Sequence, residues 1–270
     1  MLTDLQKRTL FSIIAIPLVV SSVVLQGWTF FLLISGVVCG ALYEYRTLLR
    51  KKEIVLPLFF VWTGGLLICF NYTSIGFFFF KQYFEFLFFI LFLFFLLYEI
   101  ICGQTLRVIE RSAAFVFGLF YIAYFGSFLL RIGEEMRYSY VLIMMILVWC
   151  NDLFAYFSGR FWGKHFIVPK ISPKKTWEGW VGGWAGTFLA GFIIQWFWPM
   201  LLSGWQSLIL SVLIGVVGPL GDLFESLLKR DAQVKDTSQI FPGHGGILDR
   251  IDSQLLCAPA VYFYFKIFCI

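Results

Sequence analysis

The feature that most constrains this chain is the recurrence of long, nearly uncharged apolar runs. A helix needs about 20 mostly apolar residues to cross the hydrocarbon core of a bilayer. Nine runs approach that length: 9–26, 28–45, 54–71, 83–101, 113–130, 138–157, 179–198, 206–228 and 253–270. They predict an all-α, polytopic membrane protein with about nine transmembrane helices. Composition agrees, with 60% of residues hydrophobic and 14% charged, against roughly 25% charged in a soluble domain. The 34 phenylalanines suit lipid-facing helices. The first run follows a short basic stretch, as in a signal peptide. Its length, and the second run close behind it, predict a retained first helix instead. In the glycine-rich seventh run, Gly183, Gly186 and Gly191 predict close helix packing.

Orientation follows from the basic residues. With the N-terminus in the cytoplasm, 17 of the 21 Lys and Arg fall on cytoplasmic segments, while Lys81, Arg131 and Arg137 fall outside. Positive charge collects on the cytoplasmic side of membrane proteins, so the N-terminus is expected inside and the C-terminus outside. The same rule accounts for the net charge of +5 without a nucleic-acid partner. The six cysteines form no C-x-x-C pair and no zinc-like cluster with histidine, so they read as small apolar residues. There is no internal repeat, low-complexity linker or soluble domain. Residues 1–137 supply helices alone, and 138–270 carry helices together with the polar chemistry.

That chemistry lies in three stretches: "WCNDLFAYFSGRFWGKHFIVPKISPKKTWEGW" (149–180), "GPLGDLFESLLKR" (218–230) and "DAQVKDTSQIFPGHGGILDRID" (231–252). All three belong to the predicted cytoplasmic side. Asp222, Glu225, Ser226 and Lys229 stand at i, i+3, i+4 and i+7 and share one helix face. Carboxylates at membrane depth are costly and should face the protein interior with partners. Buried ion pairs that fix helix packing are one explanation. However, Asp152, Asp236, Asp249 and Asp252 gather at the same end, beside many basic residues. Oxygen ligands without Cys or clustered His suit hard cations, Mg²⁺ above all, and Lys and Arg suit phosphate. "PGHGG" offers exposed backbone N–H groups. "SPKKT", with Ser172, Lys174 and Lys175 ahead of Glu178, reads as a helix start that attracts anions. A metal with a basic cradle is the equipment of phosphoryl and nucleotidyl transfer. There is no P-loop, no G-x-S-x-G elbow and no H-E-x-x-H helix. His165 reads as a loop or surface residue. His244 fits either a hydrogen bond at a phosphate or metal site or a structural loop role.

The stretch from Ser226 to Asp252 resembles the signature of the phosphatidate cytidylyltransferases, also called CDP-diglyceride synthetases. Ser226, Lys229, Arg230, Lys235, Asp236, His244, Gly245, Gly246, Asp249, Arg250 and Asp252 stand in register with it. The likeness extends upstream to about residue 149. Members often have Asn-Asp-Thr where this chain has Asn151, Asp152 and Leu153, so one hydroxyl is lost and the aspartate is kept. The resemblance implies that CTP and phosphatidic acid give CDP-diacylglycerol and pyrophosphate. It also implies a homodimeric bacterial inner-membrane protein with a two-metal centre, one ion being Mg²⁺. Carried over by position, the metal ligands are Asp236 and Asp249, with Asp222 and Asp152 nearby.

On that resemblance, Lys174, Lys175, Lys229 and Arg230 are expected to bind triphosphate, and Arg250 or Lys235 the lipid phosphate. Asn151, Ser172, Glu178, Ser226, Gly245 and Gly246 are expected to line the substrate site, and His244 to act in it. The nearest rival is a CTP-dependent polyprenol or phytol kinase, which would transfer the γ-phosphate. A transporter would carry its charges near the bilayer midplane, whereas here they gather at one surface.

Overall fold

The computed structural model describes residues 4–73, 81–238, 240 and 245–268, with side chains described from residue 12 onward. The described residues form nine helices. They are α1 (Asp4–Leu25), α2 (Gly27–Lys51), α3 (Leu58–Asn71), α4 (Phe84–Cys102), α5 (Val108–Glu135), α6 (Tyr138–Trp162), α7 (Trp177–Phe197), α8 (Gly204–Asp231) and α9 (Leu248–Phe268). No strand occurs among the described residues, only an isolated bridge between Phe166 and Thr176. Each predicted apolar run falls on one helix. By length and composition, five are able to cross a membrane: α2, α4, α5, α6 and α8. The chain is therefore a multi-pass helical membrane protein.

The sequence patterns explain where the helices stop. The predicted run 54–71 becomes a helix only from Leu58, because Pro57 is the N-cap, with extended backbone (φ −66°, ψ 127°). Its 14 residues span roughly 21 Å at 1.5 Å per residue, and the apolar residues Ile54, Val55 and Leu56 ahead of Pro57 lengthen the segment toward the roughly 30 Å of a bilayer core. Within α5, Leu119–Tyr124 winds as a π-helix. Tyr121 there meets Phe224 of α8 edge-on at 5.1 Å. Of the cysteines, Cys39, Cys69, Cys102, Cys150 and Cys257 are free, and Cys269 lies outside the described residues.

The helices that carry the chemistry pack closely. Helices α6 and α7 lie side by side, α7 lies on α8, and α8 lies on α9. A Cβ on Gly183 would stand 3.0 Å from the Asn151 amide nitrogen of α6, and one on Gly191 would stand 2.6 Å from the Ser207 hydroxyl of α8. The glycine-rich run is thus the seam that brings three helices together. Helix α2 packs among α1, α3, α5 and α9 and joins the N-terminal helices to this group.

One buried ion pair closes the turn between α4 and α5. Arg111 grips Glu99 with Nε to Oε2 at 2.8 Å and Nη2 to Oε2 at 2.5 Å. Its remaining N–H groups donate to the carbonyls of Leu106 (2.6 Å) and Gln104 (2.7 Å). Both side chains are buried. Removing one partner from such a pair strands a charge and typically costs about 3–5 kcal/mol. Arg111→Met should therefore lower the melting temperature in detergent micelles by several degrees, whereas an unchanged melting curve would contradict this role.

Candidate active site

The polar residues converge at one end of α6, α7, α8 and α9. A cavity of about 770 Å³ opens there, lined by Asn151, Asp152, Ser172, Lys174, Lys175 and Asp222 among others. The face of α6 that lines it repeats at helical spacing: Asn151, Asp152, Ala155, Tyr156 and Gly159. Asn151 is buried, and neither its amide nitrogen nor its oxygen has a hydrogen-bond partner among the described residues.

The wall opposite α6 is the connection 163–176. Its shape is set by hydrogen bonds from Ile167 N to Lys175 O (3.0 Å) and from Trp177 N to His165 O (2.9 Å). Thr176 caps α7 by accepting from Gly179 N at 3.1 Å. Glu178 accepts from His165 N (3.2 Å) and His165 Nδ1 (2.5 Å). Backbone N–H groups at the start of α7, together with His165, hold its carboxyl down at about 2. Glu178 and His165 thus form a latch across this connection. Lys175 pairs with Asp222 at 2.7 Å, and Lys174 is exposed. Arg230 donates to Ile171 O (3.1 Å) and Val234 O (3.2 Å), tying the connection to the end of α8.

Deeper in, the carboxylates of Asp222, Glu225 and Asp252 place one oxygen each within 4.8 Å of one another. The approach of α8 to α9 makes this possible, since a Cβ on Gly221 would lie 2.5 Å from the Asp252 carbonyl. Glu225 is fully buried, and its Oε1 has no hydrogen-bond donor among the described residues. Lys229 lies between two acids, 2.5 Å from Glu225 and 2.6 Å from Asp249. The other Asp249 oxygen accepts from Thr237 N (3.1 Å), Thr237 Oγ1 (2.8 Å) and Gly246 N (2.8 Å).

The expected residues therefore divide. Asn151, Asp152, Ser172, Lys174, Lys175 and Asp222 come together around the cavity. Lys229 and Asp249 join the carboxylates behind it. Ser226 is half-buried on α8, and Lys235, Asp236 and Arg250 are exposed, Asp236 lying outside the carboxylate cluster. Gly245 turns the chain at φ +79°. The Gly246 N–H, expected to face phosphate, is engaged by Asp249. His244 lies outside the described residues.

One group escapes sequence reasoning altogether. Glu44 of α2 is completely buried. It accepts from Thr237 Oγ1 (2.9 Å), Ser238 Oγ (2.6 Å), Ile247 N (2.8 Å) and Leu248 N (2.8 Å). The only signal is an isolated acid inside the apolar run 28–45.

A polytopic helical protein with a basic cavity beside clustered carboxylates is equipped to bind a polyanion and a hard cation. The chain belongs to the cytidylyltransferase family, whose sequence model matches residues 6–268. A phosphatidate cytidylyltransferase of Synechocystis is 32% identical over 290 residues, covering 96% of this chain and 95% of that protein. One of Thermotoga maritima is 37% identical over 166 residues, 60% of this chain and 62% of that protein. One of Haemophilus influenzae is 48% identical over 130 residues, and the match spans 45% of its length.

A Cβ at Gly246 would run into the Thr237 hydroxyl and the Glu44 carboxylate. Overpacking of this kind costs about 1–3 kcal/mol. Gly246→Val should therefore melt earlier and be cut faster by trypsin within 231–247. Wild-type melting and proteolysis would contradict this packing.

Proposed function

We propose that the protein transfers the cytidylyl group of CTP to phosphatidic acid, giving CDP-diacylglycerol and pyrophosphate. The observation that carries this reading is the adjacency of a cavity lined by Lys174 and Lys175 to the clustered carboxylates of Asp222, Glu225 and Asp252, in a chain of the cytidylyltransferase family. In this reading nine helices cross a bacterial inner membrane, with the N-terminus in the cytoplasm and the C-terminus outside. The asymmetry of Lys and Arg supports that orientation. The site then opens to the cytoplasm, where CTP is dissolved. Residues 1–137 support a catalytic half made by 138–270.

The nucleophile is a phosphate oxygen of the lipid. The second pKa of a phosphate monoester lies near about 6, so this oxygen is largely deprotonated at neutral pH and needs no side-chain base. It forms a bond to the α-phosphorus of CTP. The bond from that phosphorus to the bridging oxygen breaks, and pyrophosphate leaves. The residues must hold two polyanions together, which is a task of positioning and charge. Lys174 and Lys175 take the triphosphate, with Lys175 exchanging Asp222 for phosphate oxygens. Asn151 and Ser172 line the same cavity, the resemblance adds Ser226, Gly245 and His244 to the substrate site, and Arg250 or Lys235 meets the lipid phosphate. Lys229 balances the charge of Glu225 and Asp249. Arg230 and Glu178 keep the connection 163–176 in shape.

Clustered hard oxygen ligands, one of them a buried carboxylate oxygen without a donor, fit Mg²⁺. Asp222, Glu225 and Asp252 would hold it; for a two-metal centre the resemblance carries ligands over to Asp236 and Asp249, with Asp222 and Asp152 nearby. When bound, a divalent ion there supplies neutralising charge for the phosphate oxygens.

The test is a set of single-atom changes in the purified protein. Asp222→Asn, Asp252→Asn and Asp249→Asn should each reduce formation of CDP-diacylglycerol by about 100-fold or more while the protein still inserts in the membrane. EDTA should stop wild-type turnover, and added Mg²⁺ should restore it. Normal turnover in Asp252→Asn, or resistance to EDTA, would overturn the proposal.

A further inference from the structure

We propose that Glu44 is a positioning residue for this reaction, acting from the N-terminal half through Thr237 on Asp249. The inference rests on the function proposed above and assigns a role to a residue far from the signature in sequence.

Glu44 has zero exposure, and among the described residues no Lys or Arg pairs with it. A buried carboxylate without a cation is costly unless its oxygens are fully hydrogen-bonded. Among the described residues its four donors come from one segment, on both sides of residues 239–244: the hydroxyls of Thr237 and Ser238, and the amides of Ile247 and Leu248. Glu44 thus pins the two ends of the signature loop to α2. The two amides belong to the start of α9, where unpaired N–H groups favour an anion. They hold the protein's own carboxylate, which removes them from the surfaces open to phosphate.

The link continues into the site. The Thr237 hydroxyl lies 2.9 Å from Glu44 Oε2 and 2.8 Å from Asp249 Oδ2. It has one proton to give, so the two carboxylates share a single donor and the position of each depends on the other. Asp249 in turn accepts from Lys229, and Lys229 pairs with Glu225 of the carboxylate cluster. Five side chains therefore run from α2 to the cluster in one line of contacts. None of the described partners of Glu44 lines the cavity assigned to CTP. Loss of Glu44 should therefore disturb the carboxylate end and leave nucleotide binding intact.

Partners of this kind behind metal-binding carboxylates typically change affinity or activity by about 10–100-fold. The experiment compares Glu44→Gln, Glu44→Asp, Glu44→Ala, Thr237→Val and the double variant Glu44→Gln/Thr237→Val. It reads kcat, KM for CTP, and the Mg²⁺ midpoint for thermal stabilisation of substrate-free protein. Glu44→Gln and Thr237→Val should each lower kcat by about 10–100-fold, keep KM for CTP within about twofold, and move the Mg²⁺ midpoint upward. The double variant should be no worse than the poorer single one, because both break the same link. Glu44→Asp should recover part of what Glu44→Ala loses. Wild-type kcat in Glu44→Ala, multiplicative losses in the double variant, or a raised KM with intact kcat would each overturn the inference. If Glu44→Ala fails to fold, Thr237→Val decides. If the wild type makes no CDP-diacylglycerol, the function has failed. The Mg²⁺ midpoint then tests Glu44 alone, and an unmoved midpoint in Glu44→Gln rejects its role.

Discussion

Lys229 lies between Glu225 and Asp249, and the polar end of the molecule depends on that contact. Two unit charges 4.8 Å apart, the spread of the Asp222, Glu225 and Asp252 oxygens, repel by roughly 3–4 kcal/mol at an effective dielectric near 20. Three carboxylates at that spacing do not assemble unaided. Lys229 offsets part of the repulsion from the side of α8, and Lys175 does so from the cavity through Asp222. In the proposed reaction a bound divalent ion would supply the remainder. The cluster is thus held in a state that favours binding of its own reactants.

The membrane setting explains why so much of this arrangement uses glycine and hydroxyl groups. Helices α6, α7, α8 and α9 must approach closely enough for carboxylates on different helices to meet, and small residues permit that where lipid offers no hydrophobic drive. Gly183, Gly191 and Gly221 each remove a collision at one helix pair. At the far end of α5, Arg131 stacks over Tyr262 at 4.2 Å and donates to its hydroxyl at 2.6 Å. That hydroxyl donates to Glu135 at 2.5 Å. This knot ties α5 to α9 at the end remote from the carboxylates.

Much of the fold was legible in the sequence, because spanning-length apolar runs have few other ways to fold. The helix starts were less so: Pro57 moves the beginning of α3 to Leu58, and hydropathy alone does not register a cap. In the site, the spacing of Asp222, Glu225 and Lys229 was legible because i, i+3 and i+7 lie on one face of any helix. The signature supplied Asp249 and Asp252. Glu44 was not legible, since its partners lie 193 to 204 residues away and one acid in an apolar run does not announce them. Nor was the use of Gly246, whose N–H serves Asp249 and whose missing side chain makes room for Glu44. The exposure of Lys235 and Asp236 also depends on a loop path that local spacing does not encode.

The most direct measurement follows the two ends of the triphosphate. Purified protein in detergent–lipid micelles would be given Mg²⁺, phosphatidic acid and CTP labelled separately at the α- and γ-phosphates. Cytidylyl transfer predicts that the α-label enters the lipid and the γ-label leaves as pyrophosphate. Inert phosphatidic acid, with γ-label passing to an added polyprenol, would contradict that chemistry and make the protein a lipid kinase.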